Sequence, residues 1–147
     1  MLMSKSEIAE IIPHSGNMCL LDGVLKCDAQ RIRCISSTHR EADNPLRSGA
    51  ILPALCGIEY AAQAMAVHGA RSANFERKPR LGFLAAIREV TCCTMRLDDL
   101  TDDLIIEAEK MMGDEARVIY QFDIHAGSNK IMSGRATVVL DADKAGI

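Results

Sequence analysis

Between Arg47 and Arg71 the chain carries a single formal charge, Glu59, in a run otherwise made of alanine, aliphatic residues and a few small or polar ones. Pro53 stands where a first helical turn tolerates proline, because the N–H it lacks has no partner there anyway. The pattern predicts a helix over about 54–71, kept slim by Ala61, Ala62, Ala64 and Ala66. A helix apolar on nearly every face has to be enclosed by other structure. The wider stretch 48–70 is broken by Pro53, Gly57, Glu59, Gln63 and His68, which makes it too polar for a membrane span.

What encloses the helix is predicted to be sheet. Leu104, Ile106 and Ala108 alternate with Ile105, Glu107 and Glu109. Val118, Tyr120, Phe122 and Ile124 alternate with Arg117, Ile119, Gln121 and Asp123, and Met132, Gly134, Ala136, Val138 and Leu140 with Ser133, Arg135 and Thr137. A period of two marks strands with one buried face. The stretches 113–115 and 127–129 supply turns. Two further strands are predicted over 31–38 and 81–95, an extended apolar segment over 18–25, and a short helix opened by a Ser4/Glu7 capping box and ending near Ile12. No repeat or linker divides the chain, so its 147 residues are expected to form one domain. The order predicts an α+β fold, an antiparallel sheet wrapped around one long central helix.

Composition narrows the function classes. A formal charge of −3 without a basic run argues against general nucleic-acid or membrane-surface binding. The first ten residues carry Lys5, Glu7 and Glu10 and do not read as a secretory signal, so a cytoplasmic location is expected. The six cysteines form no C-x-x-C pair and have no histidine at zinc-finger spacing. They are expected to be reduced, mostly buried thiols, with no metal and no disulfide framework; adjacent Cys92 and Cys93 in a strand would face opposite ways.

Three blocks carry a resemblance. Ile12-Pro13-His14-Ser15-Gly16-Asn17-Met18-Cys19-Leu20-Leu21-Asp22 is similar to the opening of the 3-hydroxyacyl-[acyl-carrier-protein] dehydratases, which reads roughly P-H-x-x-x-M/F-x-L-x-D. The stretch Leu52-Pro53-Ala54-Leu55-Cys56-Gly57-Ile58-Glu59-Tyr60-Ala61-Ala62-Gln63 resembles their M-P-G-V-L-x-I-E-x-M-A-Q, and Gly82-Phe83-Leu84-Ala85-Ala86-Ile87 their F-L-A-G-I strand. The blocks fall in the family's order and approximate spacing. With Asn44-Pro45-Leu46-Arg47, the chain most resembles the predicted dehydratases of bacterial aryl-polyene clusters, implied to act on carrier-protein-bound intermediates. The resemblance implies a hot-dog fold, a dimer with a site shared between subunits, and syn-type loss of water from a 3-hydroxyacyl thioester. In that reaction a histidine removes the proton next to the carbonyl and a Glu or Asp protonates the leaving hydroxyl; Glu59 falls on the Glu position. One departure matters: the family's histidine, in a G-H-F-P block, lies fourteen residues before the Glu, and that position here is Pro45.

The residues supply candidates of their own. A lone carboxylate on a buried helix is costly to keep charged and suits general acid work; the bland alternative for Glu59 is a structural carboxylate bonded to backbone or to an arginine. His14, in a proline-broken loop, is the preferred base, and His39, after the first main strand, is the alternative. His68 is expected to pack and His125 to be solvated. Backbone N–H groups around Cys56 and Gly57 are expected either to polarise a thioester oxygen or simply to reflect close packing of helix on sheet. Gln63 either orients Glu59 or is a satisfied buried amide. Cys56, Gly57, Gln63 and Phe83 form the expected substrate-binding set, with Cys56 a small hydrophobe more than a nucleophile. Arg47, Arg71, Arg77, Lys78 and Arg80 are a loose cationic set able to dock an acidic carrier.

Three functions follow from these readings. The first is dehydration (or its reverse) of acyl-carrier-protein or coenzyme A thioesters in fatty-acid or polyene biosynthesis, without a cofactor. The second is a hot-dog thioesterase. The third, motivated by Pro45, is a non-catalytic partner of a dehydratase heterodimer; a homodimer is the alternative assembly.

Overall fold

The computed structural model describes residues 1–12, 18–72, 83–114 and 116–139. Among them the chain forms β1 (Met3–Ser4), α1 (Lys5–Ile11), β2 (Gly23–Cys27), β3 (Arg31–Ser36), α2 (Gly57–Ser72), β4 (Phe83–Cys92), β5 (Leu104–Gly113), β6 (Arg117–Ala126) and β7 (Asn129–Val139). The seven strands make one antiparallel sheet in the order β1-β2-β3-β5-β6-β7-β4. Helix α2 packs on β3, β5 and β6. This is the helix-in-a-wrapped-sheet arrangement expected from the sequence.

The register shows what α2 rests on. Cys34, Ile106, Ile124 and Met132 face one another across β3, β5, β6 and β7 as one row, and all four are fully buried. A second buried row runs Ile32, Ala108, Phe122, Gly134. At Gly134 a Cβ would lie 2.8 Å from Phe122 Cζ, so the ring occupies the space a side chain would need. The residues between these rows, such as Arg33, Glu107 and Asp123, face outward, as period-two alternation requires.

Several boundaries differ from expectation for local reasons. The first main strand stops at Ser36, not Thr38, because the Asp22 carboxylate takes the Ser37 N–H at 2.6 Å and its hydroxyl at 2.9 Å, and Thr38–Arg40 coil into a 3-10 turn. The expected extended segment over 18–25 gives way to β2, which pairs with β3 through a turn in which Asp28 Oδ1 accepts the N–H groups of Gln30 and Arg31. Strand β2 shows no period of two in its sequence because its burial does not alternate. Ser4 and Glu7 form the expected capping box of α1. The long helix opens with a 3-10 turn, Ala54–Cys56, before α2 proper, because the Pro53 carbonyl takes the N–H of Cys56, three residues on.

Strand β4 is the sheet's long edge, and most of its described side chains are exposed or half-buried, Leu84 at 40%. Register shifts interrupt it at Leu84/Ala86 and Arg88/Thr91, and Glu89 in the second has φ +55°, a left-handed conformation that L residues rarely adopt. The six cysteines are free thiols, but Cys92 and Cys93 are both exposed and only Cys19 and Cys34 are fully buried, so the expectation of mostly buried thiols is corrected. Among the described residues no helix is long and apolar enough to cross a membrane.

Candidate active site

Glu59 sits in the first turn of α2 and is half-buried, as are Ile58, Ala62, Ala66, Gly69 and Ala70. These residues form one stripe along the helix, since positions three and four apart share a face. Helix α2 is therefore enclosed on most sides but open along this stripe, and Glu59 is not the fully dry carboxylate expected from the sequence. At the same end of the helix stand the exposed Ile51, Leu55 and Met95. They are held near one another because the Met95 carbonyl accepts the Ala54 N–H at 3.0 Å and Leu97 N–H donates to the Leu52 carbonyl at 2.8 Å.

Cys56 and Glu59 are brought together. Burial, then the nearby Glu59 charge, pushes the Cys56 thiol above its ordinary range. Its Sγ donates to the Leu46 carbonyl at 3.8 Å. A thiol raised in this way is a poor nucleophile. The N–H groups of Cys56 and Gly57 are already used, donating to the carbonyls of Pro53 and of Ala54 and Leu55. They therefore do not form the thioester-polarising pair considered from the sequence. Gly57 instead lies against the buried row: a Cβ there would stand 3.1 Å from Ile124 Cδ1 and 3.3 Å from Met132 Sδ. Close packing is its reading.

Gln63, one turn beyond Glu59, is buried and clamps main chain: its Oε1 accepts the Leu20 N–H at 2.9 Å and its Nε2 donates to the Met18 carbonyl at 2.7 Å. It is the satisfied amide, with both ends used. His39 is fully buried, and its Nε2 donates to the Leu100 carbonyl at 3.1 Å. Burial lowers its pKa, so the ring stays neutral. His14 lies outside the described residues. Phe83 is placed by its backbone, paired with Val139, and its side chain lies outside the described residues. His68 packs as expected: Nε2 donates to the Asp28 carbonyl at 2.9 Å, Nδ1 accepts the Tyr120 hydroxyl at 2.8 Å, and burial lowers its pKa. His125 pairs with Glu107 at 2.7 Å on the outer face.

Of the cationic set, Arg77, Lys78 and Arg80 lie outside the described residues. Arg47 spends both terminal nitrogens on backbone, donating to the carbonyls of Ala50 and His39. Arg71 is exposed.

Sequence reasoning missed two features beside the site. The first is a buried hydroxyl network. Asn44 Nδ2 donates to the Tyr60 hydroxyl at 3.1 Å, Tyr60 and Thr38 share a hydrogen bond of 2.7 Å, and Thr38 donates to the Leu20 carbonyl at 2.8 Å, which also accepts from Ser36 at 2.5 Å. All of these side chains are buried. The second is Asp98, whose carboxylate takes the Leu52 N–H at 2.8 Å and pairs with Arg96. The Arg96 guanidinium and that N–H hold Asp98 well below the usual carboxylate range. Short polar residues in turns read as solvated in sequence, so neither knot left a signal.

Set beside known proteins, residues 6–146 match the family model described as ApeP-like, ApeP dehydratase. The chain belongs to the ApeP-like dehydratase family. Among solved structures it resembles the dehydratase heterocomplex ApeI:P from Xenorhabdus doucetiae, with 21% identity, 91% of this chain and 90% of that chain covered, and a TM-score of 0.80. It also resembles the thioesterase HI1161 from Haemophilus influenzae, at 9% identity, 95% and 94% coverage and TM-score 0.64. Zebra fish thioesterase superfamily member 2 is similar at 14% identity, 95% and 99% coverage and TM-score 0.62. At such identities the common property is the hot-dog fold. No curated protein sequence matches. For an ApeP-like dehydratase, the loop that in related dehydratases reads G-H-F-P is here Asn44-Pro45-Leu46-Arg47. It is braced: Asn44 Oδ1 accepts the Leu46 N–H at 2.9 Å, Arg47 N–H donates to the Asn44 carbonyl at 3.1 Å, and Pro45 is exposed.

Proposed function

We propose that this chain takes part in the dehydration of 3-hydroxyacyl thioesters carried on an acyl-carrier protein during aryl-polyene biosynthesis, with Glu59 as the general acid. The observation that carries the reading is the place of Glu59. It stands in the first turn of α2 on the half-buried stripe of the helix, in line with the small residues Ala62, Ala66 and Ala70. From there a protonated carboxyl delivers its proton to the leaving hydroxyl, a contribution of about 10²–10⁴-fold when well placed. His14 is the preferred base. It stands four residues ahead of Met18, whose carbonyl is held by Gln63 one turn from Glu59. The buried, backbone-bonded ring of His39 makes it the weaker candidate.

Pro45 favours a second reading, in which a hot-dog partner subunit completes the site and this chain is one half of a heterodimer. The long exposed edge β4 and the open stripe of α2 are surfaces such a subunit would cover. The dehydratase structure it resembles is itself a heterocomplex. Thioester hydrolysis draws support from fold likeness alone.

The test is to give the purified chain, alone and mixed with a second hot-dog protein of the same kind, a 3-hydroxyacyl thioester. Enoyl product and free thiol are then measured separately. Enoyl product that needs this chain, and a loss of about 10²-fold or more in Glu59→Gln with folding intact, is the expected result. Undiminished turnover in Glu59→Gln would remove the assignment, and free thiol without enoyl product would replace it with hydrolysis. Turnover from the single chain would rule out the second reading.

A further inference from the structure

The buried hydroxyl network beside Glu59 runs in one direction. An amide N–H only donates, so the Tyr60 oxygen accepts from Asn44 and its own proton goes to the Thr38 oxygen, which leaves the Thr38 hydroxyl to donate to the Leu20 carbonyl, itself also an acceptor from Ser36. Asn44 also donates to the Thr38 carbonyl at 2.9 Å, closing a ring around the turn after β3. Every side-chain member of the network is used, and in a low-dielectric interior such satisfied chains are directional and rigid. Two of the residues that reach this corner from α2 are the neighbours of Glu59: Tyr60 follows it directly, and Gln63 accepts the N–H of Leu20, the residue whose carbonyl anchors the network. The packing of Gly57 on Ile124 and Met132 is apolar and sets how close the helix comes, not which way it turns.

We propose that Tyr60, through its hydrogen-bonded hydroxyl, is a positioning residue that fixes the roll of the first turn of α2 and so the direction of the Glu59 carboxyl. The inference rests on the reading of Glu59 as the acid. A glutamate carboxyl stands roughly 6 Å from a helix axis, so a roll of about 20° moves it by about 2 Å. Displacements of about 1 Å at a reacting group can cost on the order of 10²-fold in rate. Loss of the hydroxyl therefore matters more for turnover than for binding, because Tyr60 is fully buried and its hydroxyl is bonded within the network.

The structure holds its own control. Tyr120 is equally buried and its hydroxyl is likewise hydrogen-bonded, to His68, nine residues and about 13 Å along α2 from Glu59. Tyr60→Phe and Tyr120→Phe delete the same group at the two ends of one helix. Both are assayed on 3-hydroxyacyl thioester, with a hot-dog partner where one is needed, and carbon-13 NMR follows titration of the Glu59 carboxyl, its signal identified by its loss in Glu59→Gln. The expected result is a fall in kcat of about tenfold or more in Tyr60→Phe with KM within about twofold, a displaced Glu59 titration, and neither change in Tyr120→Phe. Equal kcat losses in the two variants, or wild-type kcat in Tyr60→Phe, overturn the proposal. Full turnover in Glu59→Gln means instead that the acid assignment has failed; the titration then decides the positioning alone, and coincident wild-type and Tyr60→Phe curves refute it.

Discussion

Adding one carbon at Gly57 tests how α2 is seated. The new Cβ would stand 3.1 Å from Ile124 Cδ1, 3.3 Å from Met132 Sδ and 3.5 Å from Met132 Cε. Carbon–carbon contacts are best at about 3.5–4.0 Å, so the Ile124 methyl has to retreat by roughly half an ångström. Ile124 and Met132 are fully buried and face each other across β6 and β7, so the retreat is passed into the sheet. Overpacking of this kind costs about 1–3 kcal/mol. The gain in helix propensity from Gly to Ala is at most about 1 kcal/mol and smaller at the first helical residue. Gly57→Ala should therefore lose about 1 kcal/mol, or ~2–4 °C in Tm for a chain of this size. Gly69 on the same helix has nothing within 4 Å of its would-be Cβ. Gly69→Ala should accordingly gain about 0.5–1 kcal/mol. Urea unfolding of the two variants beside the wild type reads both signs. A Gly57→Ala protein as stable as the wild type would mean that the missing Cβ does not set the helix on its row.

Two further outcomes follow from single residues. His39 and His68 are held below the usual imidazole range by burial, so the unfolded chain binds more protons than the folded one below about pH 6.5. Their contribution is complete above that pH and declines as pH falls toward their folded values; urea midpoints from pH 8 to 5 should drop, with a shallower drop in His68→Gln, and an unchanged slope in that variant would refute the buried-neutral assignment. Glu89 holds φ +55° in an edge bulge, and its pair with Arg135 at 3.4 Å is exposed. Exposed pairs contribute little and the left-handed backbone costs about 1–2 kcal/mol, so Glu89→Gly should raise thermal stability; a fall in Tm would show that the Arg135 pair outweighs the strain.

The fold was legible because its main signals are periodic and local. Glu59 alone among apolar residues announced an enclosed helix. Val118, Tyr120, Phe122 and Ile124 announced a strand with one dry face, and all four are buried. Strand β2 was legible only in part, as an extended segment over 18–25, since its bounds depend on Asp28 capping a turn and on β3 lying beside it. Gln63 was singled out by its position near Glu59, but its partners, the main chain of Met18 and Leu20, are more than 40 residues away in sequence.

The sequence by itself determined the helix, the alternating strands and the family, and it singled out Glu59, because apolar periodicity and motif spacing are properties of neighbours along the chain. Only the tertiary structure decided that Glu59 lies on an open stripe, that Gly57 serves contact with the sheet, and that Tyr60, Thr38 and Asn44 join in one buried network. Those facts depend on which distant backbone groups need partners once water is excluded, and that demand arises only when the segments have packed.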